Sequence, residues 1–204
     1  MISVIMPIYI LDKELEFLTR QAIDSLVGDY ELIIIDNNSP IRMDIDCDIL
    51  IRNKENLGNG KAWNQGLKIA TGEHILLTDN DVKYSENWQE LVSNKKEIVF
   101  PLSKCSEDYE FKPKLSGFSW MINRQVLKEV GYISEDYGIA NFEDTDYFRR
   151  AMIKGVDLAC DHRVKVEHIG RATCDKVPEV KEIYKKNKAI YESKFGSEYP
   201  YLTV

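Results

Sequence analysis

The sequence predicts an α/β fold, a single domain in which a mostly parallel central sheet is flanked by helices and followed by a C-terminal helix. Two observations carry this. In the first hundred residues, short apolar runs without polar alternation recur between stretches whose apolar residues return at helical spacing. Strands covered by helices on both faces have such unbroken runs, and the strand-helix-strand rhythm is that of a doubly wound sheet. The chain also has 204 residues, 44% hydrophobic and 30% charged. That length buries one core, and the composition excludes disordered and fibrous classes.

The elements follow in order. Residues 2–7 are apolar apart from Ser3 and predict a strand buried on both faces. Leu15, Leu18, Ala22 and Leu26 then recur at helical spacing, and Gly28 suits the helix end. Residues 31–35 predict a second buried strand and 48–51 a short third. Residues 60–70 fit a helix with Trp63, Leu67 and Ala70 on one side, closed by Thr71 and Gly72. Residues 74–78 predict a fourth strand, 88–92 a short helix and 98–100 a fifth strand.

The second half is less regular. Residues 102–115 are polar and predict a surface loop, whereas 116–123 are strand-like. Residues 124–130 predict a short helix stopped by Gly131, 143–154 a longer one ended by Gly155, and 156–168 a strand-rich segment. Residues 178–195 predict a helix with Val180, Ile183, Tyr184, Ile190 and Tyr191 near one face. Its lysines, including the run 181–188, suit a solvated outer face.

Charge and cysteine content narrow the class. Lys and Arg number 27 against 34 Asp and Glu, a net charge of 27 − 34 = −7. Neutralising duplex phosphates needs the opposite balance, and no basic, aromatic-rich stripe stands out, so nucleic acid is disfavoured as a partner. Cys47, Cys105, Cys160 and Cys174 lie 58, 55 and 14 residues apart with no CxxC pair, the pattern of free thiols. The apolar runs are far shorter than a membrane span, and the first residues lack the basic segment of a signal peptide. The expectation is a soluble, cytoplasmic protein with no transmembrane segment.

In an open parallel sheet, ligands bind beyond the carboxyl ends of the strands. The residues there are Pro7, Ile8 and Tyr9; Asp36 to Pro40; Arg52 and Asn53; and Asp79, Asn80 and Asp81. No glycine-rich phosphate loop follows the first strand, which argues against a dinucleotide fold or a P-loop. Asp79 and Asp81 stand at i and i+2 of an extended segment, so both carboxylates can face one ligand. Two hard oxygen donors there suit Mg²⁺ or Mn²⁺; the same residues also suit a polar turn. His168 shares a strand face with Val164 and Val166, as a metal ligand or as a hydrogen-bonded core residue. Glu143 and Asp144 open a predicted helix, where acids are favoured by the helix dipole. That position also presents a carboxylate as a general base.

Taken in order, Pro7-Ile8-Tyr9, Ile33 to Ser39, Asn56 to Gly66, Ala70 to Glu73, and Asp79-Asn80-Asp81 resemble glycosyltransferase family 2, of the Rossmann-like GT-A type. Gly131, the run Glu143-Asp144-Thr145-Asp146, Arg150 and Gly155 are similar to that family's acceptor-side signature, and His168 falls where many GT-A enzymes place a metal ligand. The resemblance spans residues 2–168. It implies a metal-dependent, inverting glycosyltransferase that moves one sugar from a nucleotide diphosphate sugar to a hydroxyl acceptor. Pro7, Ile8 and Tyr9 would line the base pocket and Asp36 would bind base or ribose. Asn56, Gly58 and Asn64 would shape the nucleotide site, with Arg52 a weaker match. Asp79 would contact the ribose or the metal's water shell, next to Asn80. Asp81 and His168 would bind Mn²⁺ or Mg²⁺. Asp144 would be the catalytic base, tuned by Glu143.

Two departures matter. Asn80 stands where the family often has an acid, which lowers local charge without removing Asp81. The long C-terminal membrane segments of processive members are not found, which disfavours a polymerising synthase. By this resemblance residues 1–101 form a nucleotide-binding half, 102–176 an acceptor-binding half, with 102–115 the stretch for acceptor specificity, and 177–204 a C-terminal helix and tail. A sugar nucleotidyltransferase is the rival enzyme, but residues 8–14 lack the glycine-rich basic loop it needs. A silent nucleotide-sugar-binding module is the rival binding protein, disfavoured by Asp79, Asp81, Asp144 and His168 occurring together.

Overall fold

The computed structural model describes residues 1–106, 108–170, 172, 173, 176 and 179–202. The order is β1 (Ile2–Ile8), α1 (Lys13–Ser25), β2 (Glu31–Asp36), β3 (Ile49–Arg52), α2 (Asn59–Ile69), β4 (His74–Thr78) and β5 (Val82–Tyr84). A 3₁₀ turn (Trp88–Ser93) leads to β6 (Ile98–Cys105), β7 (Ser119–Asn123), α3 (Arg124–Val130), α4 (Glu143–Ile153), β8 (Leu158–His168) and α5 (Val180–Phe195). One eight-stranded sheet results, in the order β3-β2-β1-β4-β7-β6-β8-β5.

The α/β class and most elements match the sequence reading, but the sheet is mixed rather than mostly parallel. Among the described residues, four of its seven neighbour pairings are parallel and three antiparallel. β7 runs against both β4 and β6, and β5 runs against β8. Ser119 to Ile122 are all buried. A strand buried on both faces has the same apolar pattern whichever way it points, so direction is invisible in the sequence. Two further differences share one cause. β5 is only three residues long, too short for a period-two signal, and the second half of β6 occupies the expected loop. Both are ordered by β8, which pairs Val82 with His168 and Leu102–Cys105 with Lys165–His168. Cys47, Cys105 and Cys160 are free thiols as expected, whereas Cys174 lies outside the described residues, as does Pro178 at the expected helix start. Among the described residues no helix is long and apolar enough to cross a membrane.

Alternate residues of each inner strand feed two cores. Ile5, Ile33, Leu77, Phe100 and Trp120 pack with Trp63 and Leu67 of α2 and Phe148 of α4. Val4, Met6, Ile34, Leu76 and Met121 pack on the other face with Leu15 of α1 and Trp88 of the 3₁₀ turn. Local signals start the helices: the Asp12 side chain accepts from the Leu15 N–H at 3.0 Å, and Asn123 accepts from Val126 N–H at 3.0 Å.

The last helix is docked by a small aromatic cluster of Tyr191 with Phe142 and Tyr137, and by polar groups. Asn187, 2% exposed, donates from Nδ2 to the carbonyls of Tyr137 (2.5 Å), Ala140 (2.6 Å) and Asn141 (3.1 Å). Asp146 of α4, 1% exposed, accepts from Arg150 Nε at 2.6 Å, Tyr137 Oη at 2.8 Å and Lys194 Nζ at 3.0 Å. Removing this carboxylate leaves Arg150 without an acidic partner and Lys194 with Asp136 alone, a loss costing several times a surface pair. Asp146→Ala is therefore expected to lower unfolding free energy by about 3 kcal/mol in urea denaturation. It should also weaken hydrogen-exchange protection in α5 before the sheet. A variant as stable as wild type would show that Asp146 does not dock this helix.

Candidate active site

The end of β4 and the start of β5 are separated only by Asp79, Asn80 and Asp81. The backbone there is tied on both sides: Asp79 N–H donates to Phe118 C=O at 2.9 Å, and Ile169 N–H donates to Asp81 C=O at 3.2 Å. Because Val82 pairs with His168, the last residue of β8 is delivered beside this turn. His168 Nε2 lies 3.1 Å from Asp81 Oδ1, and donor atoms of Asp79, Asp81 and His168 all lie within 4.8 Å of one another. Phe118 stacks on the imidazole, with ring centroids 3.8 Å apart and planes 24° apart, and Cys105 Sγ lies 3.9 Å from Nδ1. The Asn80 side chain donates to Thr19 Oγ1 of α1 at 2.7 Å.

The electrostatics of this turn are unusual. Asp79 is open to the cavity on one side and enclosed by protein on the others. Burial pushes its carboxyl up to about 7, and the charges of Asp81 and Asp144 add to the shift while His168 opposes it. Two carboxylates that repel each other, with an imidazole beside them, form an oxygen and nitrogen donor set. Such a set fits Mn²⁺ or Mg²⁺, whose charge would relieve the repulsion.

A second acidic pair opens α4. Asn141 (φ 71°) and Phe142 (φ 74°) are consecutive non-glycine residues in the left-handed region, a strained entry that the Asn187 clamp holds in place. Glu143 is 5% exposed, and its carboxyl is raised well above the usual range by burial and by the charge of Asp144. Burial also raises Asp144, whose Oδ1 accepts from Thr145 N–H at 2.7 Å and from the Thr145 hydroxyl at 3.2 Å. Its Oδ2 faces Gly117, where a Cβ would lie 1.9 Å away.

Both acidic groups line one cavity of about 510 Å³. Pro7, Ile8, Tyr9, Asn56, Asp79, Asn80, Asp81, Glu143, Asp144 and His168 all reach it. Asp36, Gly58 and Asn64 stand behind its wall. Asp36, 1% exposed, pairs with Arg52 Nε at 3.0 Å and accepts from Ser39 N–H at 2.7 Å. Asn64 donates to Ile133 C=O at 2.8 Å and accepts from Ile133 N–H at 3.0 Å. Gly58 has φ +83°, and a Cβ there would meet Gly138 C=O at 1.9 Å. Gly58 and Asn64 join the first half of the chain to residues 132–139, whereas Asp36 is engaged within the first half.

The sequence reading missed Gly117 and Phe118, the wall from Ile139 to Phe142, and Tyr184, Lys188 and Tyr199 from the C-terminal segment. Asn37, in the polar rim that the sequence does mark, also lines the cavity. Nothing local marks Tyr184 or Lys188, because one falls on an apolar helix face and the other in a lysine-rich run.

Comparison with known proteins fits this arrangement. Residues 3–97 match the model of the family described as Glycosyl transferase family 2. Among solved structures, S. aureus TarS (residues 1–349) aligns with a TM-score of 0.59 at 16% identity, covering 80% of this chain and 59% of that one. The mannosyltransferase PcManGT from Pyrobaculum calidifontis, in complex with GDP-Man and Mn²⁺, aligns at 0.64 and 15% identity, covering 98% and 65%. GalNAc-T7 with UDP, GalNAc and Mn²⁺ aligns at 0.62 and 15% identity, covering 82% and 43%. The resemblance to family 2, with a GT-A fold, is thereby borne out; the chain spans less than two thirds of the length of each of these structures.

The closeness of Gly117 to Asp144 has a direct test. Gly117→Ala is expected to swing the Asp144 carboxylate off Thr145, because the side chain can rotate while the Gly117 backbone is held. The stability loss should be only about 1 kcal/mol, at the low end for overpacking. A crystal structure and a denaturation curve of the variant check both points, and an unmoved Asp144 would contradict the geometry.

Proposed function

We propose that this chain, like the family it resembles, is a metal-dependent inverting glycosyltransferase that moves one sugar from a nucleotide diphosphate sugar to a hydroxyl acceptor. The observation that carries the reading is a pair of separate acidic groups in one cavity. One is a metal-competent triad at a strand end; the other is a buried carboxylate at a helix start. Pro7, Ile8, Tyr9 and Asn56 would bind the nucleotide, within a nucleotide half spanning residues 1–101. Asp36, Gly58 and Asn64 would shape that pocket from behind, and residues 102–176 would supply the acceptor side.

Asp81 and His168 would hold Mn²⁺ or Mg²⁺, with Asp79 beside them contacting ribose or the cation's water shell. When bound, the cation neutralises charge developing on the departing diphosphate. That GalNAc-T7 and PcManGT were solved with Mn²⁺ and nucleotide ligands supports the same chemistry here. Asp144 would accept the proton of the acceptor hydroxyl as its oxygen attacks the anomeric carbon from the face opposite the diphosphate, inverting configuration. Burial raises the Asp144 carboxyl, which makes it a stronger proton acceptor. Glu143, held toward its protonated form, would keep a second negative charge away from Asp144 and orient it.

Two measurements test the proposal. Thermal unfolding with UDP, GDP, dTDP or CMP, each with Mn²⁺, Mg²⁺ or EDTA, should show one nucleotide stabilising the protein only with metal. At a hundred times its dissociation constant the gain is about 2.7 kcal/mol, and it should vanish in Asp81→Ala and His168→Ala. No stabilisation by any nucleotide under any metal would overturn the reading. Asp144→Asn should retain the nucleotide-dependent stabilisation while turnover falls by about 10²- to 10⁴-fold. Unchanged turnover would remove Asp144 from the role of base.

A further inference from the structure

The cavity has a rim that the nucleotide half does not explain. Tyr184 (48% exposed), Tyr199 (41%) and Ile139 (39%) are large apolar side chains left open to solvent, and all three line the cavity. The two tyrosines are fixed in place by an aromatic chain. Tyr184 packs on Phe142 with centroids 5.1 Å apart, Phe142 on Tyr191 at 5.7 Å, and Tyr191 stacks on Tyr199 at 5.1 Å and 17°. Phe142 immediately precedes Glu143 and Asp144, so this rim is anchored to the carboxylate that must meet the attacking hydroxyl. Ordered aromatic rings exposed at a cavity mouth suit the apolar faces of sugar rings.

Lys188 adds charge to this surface. It lies one turn beyond Tyr184 on α5, and among the described residues lining the cavity it is the one Lys or Arg. Its pairing with Glu192 is loose, 3.6 Å between half-exposed groups, which contributes little. Four carboxylates, Asp79, Asp81, Glu143 and Asp144, line the rest of the cavity. An anionic acceptor needs one cation placed away from them, and Lys188 is adjacent to Asn187, which clamps the loop leading to Asp144.

We infer that Tyr184, Tyr199 and Lys188 form the acceptor subsite, and that the acceptor is a sugar carrying an anionic group. The inference rests on the glycosyltransferase reading and names the substrate class of that site. It is tested by calorimetry on the full chain saturated with its stabilising nucleotide and Mn²⁺. The probes are glucose, galactose, mannose and N-acetylglucosamine as their 6-phosphates, the corresponding hexuronic acids, and the neutral methyl hexosides. At least one anionic sugar should bind about tenfold or more tightly than its neutral counterpart, the scale of a charge-assisted contact. Phosphate and carboxylate arms identify which anion is taken. Lys188→Ala should abolish the preference and leave nucleotide affinity unchanged, whereas Glu192→Gln, which frees Lys188, should strengthen it. Tyr184→Ala should weaken charged and neutral sugars alike. Equal binding of charged and neutral sugars to a protein that binds nucleotide overturns this inference alone. So does a Lys188→Ala variant that loses nucleotide affinity but keeps the sugar preference. Failure to bind any nucleotide removes the glycosyltransferase reading and this inference with it.

Discussion

The pairing of Val82 with His168 is the joint on which the site depends. β5 holds only three residues and would not persist alone, yet its first residue follows Asp81 directly. The antiparallel ladder to β8 therefore places an imidazole from the far end of the chain against a turn formed some ninety residues earlier. A one-residue slip would turn His168 to the opposite face of the strand and dissolve the cluster. Phe118 stacked on the ring and the Ile169–Asp81 backbone bond both oppose such a slip.

The same turn carries an electrostatic burden. Asp79, Asp81, Glu143 and Asp144 share one cavity, and burial drives three of them toward their protonated forms. Grouping like charges away from bulk water costs stability, and a fold tolerates it only where the surrounding structure over-determines the arrangement. Here the support is visible. The left-handed residues Asn141 and Phe142 are clamped by Asn187, and the buried Asp146 gathers Arg150, Tyr137 and Lys194 behind them. Helix α5 thus does more than cover apolar surface, for it holds the loop that aims Asp144.

The two halves of the chain are joined by direct contacts between protein groups. Asn64 reaches across to Ile133, and Gly58 admits the backbone of Gly138 where any Cβ would collide. Residues at ligand-binding spacing in the sequence can therefore act one layer back, by setting the distance between the strand-end rim and the loop before α4. Asp36 acts within the first half, where its oxygens are engaged by Arg52 and by the Ser39 N–H.

By itself the sequence determined the α/β class, nearly every helix, the strand-end rim and the acidic residues at both ends of the site. These features are local: an apolar run, a helical period, a cap or a turn is written in neighbouring residues. It also placed His168 on the inward face of its strand, because alternation with Val164 and Val166 is a local property as well. Only the tertiary structure decided the direction of β7, the existence of β5 and the extension of β6, since each is ordered by a partner distant in sequence. It alone brought Gly117 against Asp144 and carried Tyr184 and Lys188 to the cavity. Periodicity specifies which face of an element is buried, but which distant element meets that face is settled by packing and register across the whole sheet.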